Sequence, residues 1–457
     1  MSGAARRGVE AGLVLARELV RALAFPLHML AFLPRRAEVR ARTRALLAAP
    51  PAGPAPDTVP LLARVPPERP ARLFLSAGET SGERHAVHLL TALRARGVAL
   101  EVDAFGGPLL AGAGCRVLFP LSDRAVMGAL GALKSLGFFV RAFLRCLRQL
   151  DGARPDLVVL VDYPGFHLVL GAAARRRGIP VLHLIAPQYW AWAPWRMPRY
   201  RGAVDLALTV FPFEPAWFAA AGVRSTYIGH PQIDQLAAEP VPDAARAANA
   251  ARPTLVLLPG SRSAEIELHL PRFLGIAARI RAGTPDLRVV LPHRDARQAG
   301  RIRELLARHG GHAVEFVPGG GYATIAGARL ALAKSGTGSL EACLLGVPTV
   351  VVYRAPGRLA RFLYTHYLLT PFFASANLAT GTRIVPEHFV SADADWDAVT
   401  ASALELWEEG TARSRCLAGL ATLRGRLGTA GAMDRAAAVL AAALGRATHP
   451  TGAGGGA

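Results

Sequence analysis

The sequence contains few cysteines and no long apolar run near its start. Its four cysteines lie far apart without a pattern, which argues against both a disulfide framework and a metal site and favours reduced, cytosolic thiols. The longest uncharged run near the N-terminus covers residues 22–34, which is 13 residues, whereas a membrane-spanning helix needs roughly 20. We therefore predict no membrane-spanning helix in that region.

Negative charge is also scarce. Lys and Arg number 53 against 33 Asp and Glu, for a net charge of +20 and a pI near 11.1, which favours nucleic acid, phosphorylated small molecules or an anionic membrane as partners. Most of the excess is Arg scattered through an Ala/Gly/Leu-rich chain, so GC-rich codon usage is an alternative explanation. Because no RNA-binding aromatic motif and no zinc-finger spacing occur, we predict no nucleic-acid partner.

At 457 residues, the chain is longer than one hydrophobic core usually serves, so we predict two domains. Hydrophobic residues make up 52% of it and charged residues 19%, which is typical of a globular protein. The patterns described below divide the chain into an N-terminal extension (1–70), a first α/β domain (71–240) and a second α/β domain (241–450).

The N-terminal extension has an amphipathic pattern. If residues 6–28 are helical, the charged side chains fall on one narrow stripe and leave a broad apolar face. The stripe contains Arg6, Glu10, Arg17, Arg21 and His28, and the apolar face contains Leu13, Val14, Leu15, Leu19, Val20, Leu23 and Phe25. We predict a helix, bent at Pro26, that lies in the plane of an anionic membrane surface. A helix packed on the protein's own surface is the alternative.

A signal peptide fits this segment less well. Glu10 and Glu18 interrupt it, and no small-residue cleavage site follows. The Pro/Ala-rich residues 49–60 are predicted to form a linker.

The first α/β domain begins with a strand at residues 72–77 and a glycine-rich turn from Gly78 to Glu83 that leads into a helix. Such a turn is a ligand site by geometry, although it is not a GxGxxG dinucleotide motif. Further predicted strands alternate with helices, which indicates a doubly wound parallel sheet. These strands cover 100–105, 157–161, 181–185 and 206–210, with helices at 133–150 and 168–177. Ligands then bind beyond the carboxyl ends of the strands, where Glu79, Asp162 and the loop after Ile185 fall.

That loop, residues 186–201, interleaves aromatic and arginine side chains. Trp190, Trp192 and Trp195 alternate with Arg196, Arg199 and Arg201 in a Pro-broken segment. Core packing is one explanation. Because this composition also suits sugar faces, phosphate and lipid headgroups, we favour a binding role.

The second α/β domain carries two turns suited to a diphosphate. The strand at 254–258 is followed by Gly260, Ser261 and Arg262, where the guanidinium could clamp a phosphate that backbone N–H groups also hold. The strand at 328–333 is followed by Ser335-Gly336-Thr337-Gly338 and a helix whose N-terminus favours an anion. Glu341, one turn later, is placed to accept hydrogen bonds from a sugar diol. An ordinary strand–helix unit with a Ser/Thr cap is the alternative.

Asp393 and Asp395 superficially form a metal-binding DxD motif. They follow Ser391 and precede a helical run, so acidic N-capping is the better explanation and no metal site is predicted.

Several of these segments recur together in one known family. With SAGETSGE (76–83), DYPGF (162–166), WAW (190–192), FPFE (211–214), GHP (229–231), LPGSR followed by AEI, and SGTGSLE in this order, the chain resembles lipid-A-disaccharide synthase from about residue 72 to 440. The resemblance implies a GT-B fold, in which two Rossmann-like domains face a cleft. It also implies an inverting transfer without metal or other cofactor, at the cytoplasmic face of the inner membrane.

The reaction implied by the resemblance joins two lipid-linked sugars. The 2,3-diacylglucosamine unit of a UDP-activated donor passes to the 6-hydroxyl of the phosphorylated glycolipid 2,3-diacylglucosamine 1-phosphate, and UDP is released. The resemblance implies functional roles for Glu79, Arg262, Asn377, Ser335 to Thr337 and Glu341. Together with the turns and the aromatic loop described above, it leads us to predict that the donor is bound by Gly260, Ser261, Arg262, Ser335, Gly336, Thr337, Glu341 and Asn377, and the acceptor by Gly78, Ser81, Trp190 and Trp192.

The sequence departs from the family at one chemically important position. Some members have a functional Asp where this chain has Gly165, and the family's GREL is residues 381–384 here. Inverting transfer needs a general base near the acceptor hydroxyl. We predict that Asp162 supplies it with Glu79 assisting, while His167 caps or faces the following helix.

Two alternatives remain at this point. The same fold hosts UDP-sugar 2-epimerases, which are isomerases, and a membrane-associated nucleotide-sugar binder could have lost catalysis through Gly165. Release of UDP only when a lipid acceptor is added distinguishes the transferase from both.

Overall fold

The computed structural model describes residues 2–49, 59–122 and 136–446. The chain divides into two compact units. The first contains residues 1–39, 52–231 and 431–457, and the second contains 40–51 and 232–430. The N-terminal extension is thus shared between the units, and the last described helix belongs to the first. Most of the predicted linker, residues 50–58, lies outside the described residues.

The first unit is built on a seven-stranded sheet in which every strand pair is parallel. Its strands are β1 (Ala71–Ala77), β2 (Leu100–Gly106), β3 (Arg116–Pro120), β4 (Leu157–Val161), β5 (Val181–Leu184), β6 (Leu206–Thr209) and β7 (Ser225–Tyr227), in the order β3-β2-β1-β4-β5-β6-β7. All five residues of β4 are buried, as expected for a parallel strand covered by helices on both faces.

The helices of the first unit follow the strand-helix alternation. They are Thr80–Ala95, Pro108–Gly112, Leu136–Gly152, Pro164–Arg175, Tyr189–Trp192, Met197–Ala203, Glu214–Ala220 and Ala432–Ala443, with a 3-10 turn at Pro194–Arg196. The N-terminal extension adds Gly3–Leu23, Phe25–Phe32, a 3-10 turn at Leu33–Arg35 and Arg36–Ala48, which continues into the second unit. Pro26 marks the predicted break between the first two helices. None of the described helices is both long and apolar enough to cross a bilayer.

The second unit has a six-stranded sheet, again parallel throughout. Its strands are β8 (Thr254–Leu258), β9 (Arg288–His293), β10 (Val314–Pro318), β11 (Leu330–Lys334), β12 (Thr349–Arg354) and β13 (Glu387–Val390), in the order β10-β9-β8-β11-β12-β13. Its helices are Pro231–Ala238, Asp243–Ala250, Ser263–Gly283, Ala299–Arg308, Tyr322–Ile325, Thr337–Leu344, Arg358–Tyr367, Ser375–Thr380, Asp395–Trp407 and Thr411–Leu427, with a 3-10 turn at Ala296–Gln298.

Both sheets have the Rossmann order, which confirms the predicted pair of doubly wound α/β units. In such a sheet the strand order reverses at the switch point, and the crevice beyond the carboxyl ends of those two strands is the usual ligand site. The switch point lies between β1 and β4 in the first unit and between β8 and β11 in the second. The loops that follow these four strands are therefore the expected ligand sites.

Candidate active site

The switch point of the first sheet brings the two predicted catalytic carboxylates to neighbouring strand ends. Ala77, the last residue of β1, pairs with Val161, the last residue of β4. Asp162 follows β4 directly, and Glu79 follows β1 after one glycine. Glu79 is half-buried and takes the N-cap position of the next helix without a side-chain capping bond. Its negative charge acts on Asp162, so the two carboxylates form one electrostatic site.

The backbone of the Asp162 loop has an unusual conformation. Asp162 has a φ of 51° and Tyr163 a φ of 54°, so two consecutive non-glycine residues occupy the left-handed region. Each such residue costs on the order of 1 kcal/mol or more, and such strain persists only where the surroundings enforce it. Ile185, which follows the neighbouring strand β5, is also left-handed, at 59°.

Two buried histidines enforce the Asp162 conformation. The ring nitrogens Nδ1 of His167 and Nε2 of His183 lie 2.6 and 3.0 Å from the carbonyl oxygen of Asp162. Because a carbonyl only accepts, both nitrogens donate. Each remaining ring nitrogen then accepts a hydroxyl proton, from Ser76 Oγ to His167 at 2.9 Å and from Tyr200 to His183 at 3.2 Å.

This network works with uncharged imidazoles. Burial lowers the pKa of His167 to about 3 and that of His183 to about 4. The predicted capping role of His167 is corrected here: it sits inside the helix Pro164–Arg175 and donates to the loop before that helix. The sequence signal for His183 is a polar residue within the otherwise apolar strand VLHL.

The Asp162 carboxyl is suited to take up a proton. The surrounding protein atoms desolvate the group although it stays accessible to solvent, and together with the charge of Glu79 this raises the pKa of Asp162. The Tyr163 backbone N–H donates to the same carboxylate and partly opposes the shift. A carboxylate with a raised pKa is a stronger base than an ordinary aspartate.

The glycines around this loop have different roles. A Cβ on Gly78 would lie 2.3–2.5 Å from ring atoms of Tyr163, so Gly78 lets that ring pack over the turn. A Cβ on Gly165 would meet nothing within 4 Å. The position where some family members have an Asp side chain is therefore open space in this chain. Ser81 is exposed in the first turn of the helix that follows Glu79, where its proposed contact with an acceptor stays a prediction.

The tryptophans of the 186–201 loop divide into core and surface residues. Trp190 is fully buried; its Nε1–H donates to Glu214 Oε1 at 2.9 Å, and its ring packs against Phe211 and Phe213. Its assignment to acceptor binding is therefore corrected, because it has no surface to offer a ligand. Trp192 is 41% exposed, with the Arg196 guanidinium 4.9 Å from the centre of its ring. Its predicted contact with the acceptor stays a prediction.

In the second unit, the turn after β8 is held by an internal carboxylate. Gly260 has a φ of 120°, and the backbone N–H groups of Ser261 and Arg262 lie 3.0 and 3.4 Å from Glu265 Oε2. Glu265 accepts from these N–H groups, so a phosphate would have to displace it, and phosphate binding at this turn stays a prediction. The Arg262 side chain is nearly half exposed and lies 3.4 Å from Glu265 Oε1, a weak pairing that leaves it able to turn toward an anion.

Lys334 is a basic residue of this site that the sequence reasoning missed. It ends β11, and its Nζ lies 2.9 Å from Glu265 Oε1. Burial alone raises the pKa of Glu265, but the Lys334 ammonium outweighs it and holds that pKa below its ordinary value. Its position directly before the SGT turn was the available signal.

The turn Ser335-Gly336-Thr337 has the predicted strand-to-helix geometry. The helix Thr337–Leu344 starts here, and Ser339 Oγ bridges the backbone of Gly336, which donates to it at 3.3 Å and accepts from it at 2.7 Å. Within the described chain, the N–H groups of Thr337 and Gly338 have no hydrogen-bond acceptor. Unpaired N–H groups at the positive end of a helix form a ready anion site.

Glu341 lies in a polar cluster next to this turn. Its Oε1 accepts from Gln232 Nε2 at 2.8 Å and from the Tyr322 hydroxyl at 3.1 Å, and the Arg294 guanidinium lies 4.5 Å from the Tyr322 ring centre. Burial raises the pKa of Glu341. Sequence reasoning found only Glu341, because its partners come from distant parts of the chain.

Asn377 is a structural residue and not a ligand contact. It is fully buried; its Nδ2 donates to the Val385 carbonyl and to Glu387, and its Oδ1 accepts from the N–H groups of Ile384 and Val385. Its assignment to donor binding is corrected, because these four bonds use its whole amide. It ties the loop before β13 in place.

The DxD segment does not cap the helix in the way predicted: the N-cap residue is Ala394, no side chain makes a capping bond, and Asp395 lies in the first turn instead. Asp395 Oδ2 accepts from the N–H groups of Ser391 and Ala392 at 2.8 and 2.9 Å, and Asp393 pairs with Arg272. Among the described residues, no group of three or more His, Cys, Asp and Glu side chains is placed to hold a metal ion.

Comparison with known proteins connects this geometry to one family. A family model described as lipid-A-disaccharide synthetase matches residues 73–422. The lipid-A-disaccharide synthase of Myxococcus xanthus (strain DK1622) is 35% identical over 376 residues, which are 80% of this chain and 96% of that protein.

Solved structures agree with the fold. The S. aureus MnaA–UDP co-structure has a TM-score of 0.57 at 14% identity and covers 83% of this chain and 98% of that one. The glycotransferase of kitacinnamycin has a TM-score of 0.53 at 18% identity and covers 82% of this chain and 100% of that one. These matches confirm the expected GT-B fold class.

Proposed function

The chain belongs to the lipid-A-disaccharide synthase family, and we propose that it transfers 2,3-diacylglucosamine from a UDP-activated donor to 2,3-diacylglucosamine 1-phosphate. The products are the lipid A disaccharide 1-phosphate and UDP. The observation that carries this proposal is that each switch point holds groups suited to one half of the reaction. The first sheet presents paired carboxylates, and the second presents an anion-binding turn with basic side chains.

Asp162 acts as the general base in this proposal. The acceptor 6-hydroxyl attacks C1 of the donor sugar while the bond from C1 to the diphosphate breaks, so the configuration at C1 inverts. The proton of that hydroxyl passes to the Asp162 carboxylate, and the negative charge leaves with UDP. Glu79 assists by keeping the pKa of Asp162 raised, which makes Asp162 a better proton acceptor near neutral pH.

The donor diphosphate binds at the turn after β11. Backbone N–H groups of Thr337 and Gly338 point at the phosphates, and Arg262 and Lys334 supply positive charge from either side of Glu265. These groups offset the charge on departing UDP, so the transfer proceeds without a metal. Glu341 binds the ribose hydroxyls beside Gln232 and Tyr322.

The acceptor binds against the first unit. Ser81 and Trp192 are the exposed members of the proposed acceptor set. Because both substrates carry acyl chains, we place the enzyme at an anionic membrane surface, on the cytoplasmic face of the inner membrane.

One assay tests the proposal. The protein is incubated with UDP-diacylglucosamine and diacylglucosamine 1-phosphate, and the products are examined by mass spectrometry. We expect the disaccharide 1-phosphate and UDP in equal amounts, with neither formed when the acceptor is left out. Epimerised donor formed without acceptor would favour the isomerase instead, and UDP-sugar binding without any product would favour the catalytically lapsed binder.

A further inference from the structure

The first helix of the chain, Gly3–Leu23, turns its two acidic side chains toward the first unit. Arg177 Nη2 donates to Glu10 Oε2 at 2.8 Å, and Arg176 Nη2 donates to Glu10 Oε1 at 3.0 Å. The hydrogen bond with Arg177 is the main reason that the pKa of Glu10 is lowered. Farther along, Arg199 Nη2 donates to Glu18 Oε1 at 2.7 Å. These ion pairs fix the side of the first helix that faces the protein, and the buried Met29 and Phe32 mark the inward side of the second helix.

The opposite side of these helices is apolar and exposed, and we call it the outer apolar face. Leu23 is 81% exposed, Leu27 67% and Val20 64%. The remaining exposed apolar members are Val9, Leu13, Leu19, Phe25 and Leu30. A surface helix of a globular protein normally buries its apolar side against the core, so this arrangement is reversed. A contiguous apolar surface of this kind marks an interaction site.

The outer apolar face adjoins the loop of residues 186–201. The Trp195 ring centre lies 6.3 Å from that of Phe25 and 5.2 Å from that of Phe32, and Arg199 of the same loop pairs with Glu18. The helices and the loop that carries the exposed Trp192 therefore form one surface of the first unit.

We propose that the outer apolar face inserts into the surface of an anionic lipid bilayer and holds the 186–201 loop at the level of the headgroups. Three exposed arginines, Arg6, Arg17 and Arg21, lie along its polar border. Basic residues beside an apolar stripe are the composition of interfacial helices. The two helices precede the family match at residues 73–422. The inference rests on the proposed function only for the benefit of membrane binding, which is to bring the enzyme to its lipid-linked acceptors.

A bilayer fits this face better than a second copy of the chain. Two copies that paired their outer apolar faces would bring their arginine borders together, in molecules that each carry a net charge of +20. Like charges at such an interface oppose association, whereas anionic headgroups attract the same arginines.

The test is vesicle flotation with the full-length protein and no substrate. Vesicles of phosphatidylcholine with phosphatidylglycerol are compared with vesicles of phosphatidylcholine alone. The variant Val20→Glu/Leu23→Glu/Leu27→Glu is expected to bind anionic vesicles roughly a hundredfold more weakly than the parent, or weaker still. Arg6→Gln/Arg17→Gln is expected to weaken binding to anionic vesicles by roughly tenfold and to leave phosphatidylcholine binding unchanged.

Leu417→Glu is the matched control, because Leu417 is an exposed leucine on a helix of the second unit. It should bind like the parent. All variants should keep the parent's turnover on detergent-dispersed substrates, so a failure of the transferase proposal would not be mistaken for a failure of this one. Equal vesicle binding by parent and triple variant would overturn the inference. So would a lipid-independent dimer that the triple variant converts to monomer with vesicle binding unchanged, since a second copy would then cover the face.

Discussion

The two buried histidines under the Asp162 loop make the first unit sensitive to acid. His167 and His183 have pKa values of about 3 and about 4 in the folded protein, against roughly 6.5 in an unfolded chain. Below that value the unfolded chain takes up a proton at each histidine and the folded protein does not. The stability that the two neutral histidines contribute is therefore present in full above about pH 6.5. It is lost progressively as the pH falls toward their pKa values in the folded protein.

The size of the effect follows from the proton difference. Each histidine that is charged only in the unfolded state removes about 1.4 kcal/mol of unfolding free energy per pH unit. Between pH 7 and pH 5 this amounts to about 2 kcal/mol for each histidine and about 4 kcal/mol for both. Because domains are typically stable by about 5–15 kcal/mol, the loss is a large part of the total.

A single substitution isolates one histidine from all other titrating groups. In His167→Asn the amide nitrogen takes the place of Nδ1 and keeps a donor for the Asp162 carbonyl, but the side chain does not titrate. Urea unfolding is followed by tryptophan fluorescence at pH 7, 6 and 5; Trp190, Trp192, Trp195 and Trp217 of the first unit supply most of the signal from the chain's six tryptophans. We expect the parent to lose about 2 kcal/mol more than the variant between pH 7 and pH 5.

The exposed His312, on the second unit, provides the control. His312→Asn makes the same chemical change at an exposed position and leaves the His167 network intact. If His167→Asn and the parent lose stability in parallel from pH 7 to pH 5, His167 is protonated in the folded protein and the neutral network described here is wrong.

Three further predictions concern the site. Asp162→Asn should lower turnover by roughly 10² to 10⁴ while UDP still binds, because it removes proton transfer and keeps shape; turnover within a few-fold of the parent, with Glu79→Gln impaired instead, would move the base to Glu79. Arg262→Ala should raise the inhibition constant of UDP by roughly tenfold to a hundredfold, as expected for a charge-assisted phosphate contact, and equal inhibition of both proteins would remove Arg262 from the diphosphate. Asn377→Ala should lower the unfolding free energy in urea titrations by roughly 3 kcal/mol or more, because the buried partners of Asn377 lose their hydrogen bonds. The affinity of the folded protein for UDP should stay within a few-fold of the parent's. A selective loss of UDP affinity at unchanged stability would instead show that Asn377 contacts the ligand.

The strands that sequence reasoning located are those with strong apolar runs. The runs LVVLV and TLVLL became β4 and β8 with the predicted bounds. Strands were also predicted at 288–291, 314–316 and 349–353, where β9, β10 and β12 lie, so three strands were missed: β3, β7 and β13. β3 is only half-buried at the sheet edge, β7 has three residues, and β13 carries Glu387 and His388. Short or edge strands owe their pairing to neighbours in space, so their own residues carry little signal.

The position of the site could be predicted, but not the partners of each side chain. Alternating strands and helices placed Asp162, Glu79 and Arg262 at strand ends, and there they lie. The roles of Trp190 and Asn377 depend on groups that folding brings together, such as Glu214 and Glu387. A polar side chain that satisfies buried groups and one that waits for a ligand look the same in a sequence.

The last described helix has a consequence for biosynthesis. Ala432–Ala443 contributes Met433, Ala436 and Leu440 to the apolar core of the first unit, and its end accepts hydrogen bonds from Leu62 and Ala63 just before β1. About 200 residues separate residue 231 from this helix in the sequence. At a translation rate of roughly 5–20 residues per second, the last helix of the first unit is therefore synthesised roughly 10–40 s after residue 231. The second unit, by contrast, is contiguous apart from residues 40–51, so the nascent chain can complete its second unit before its first.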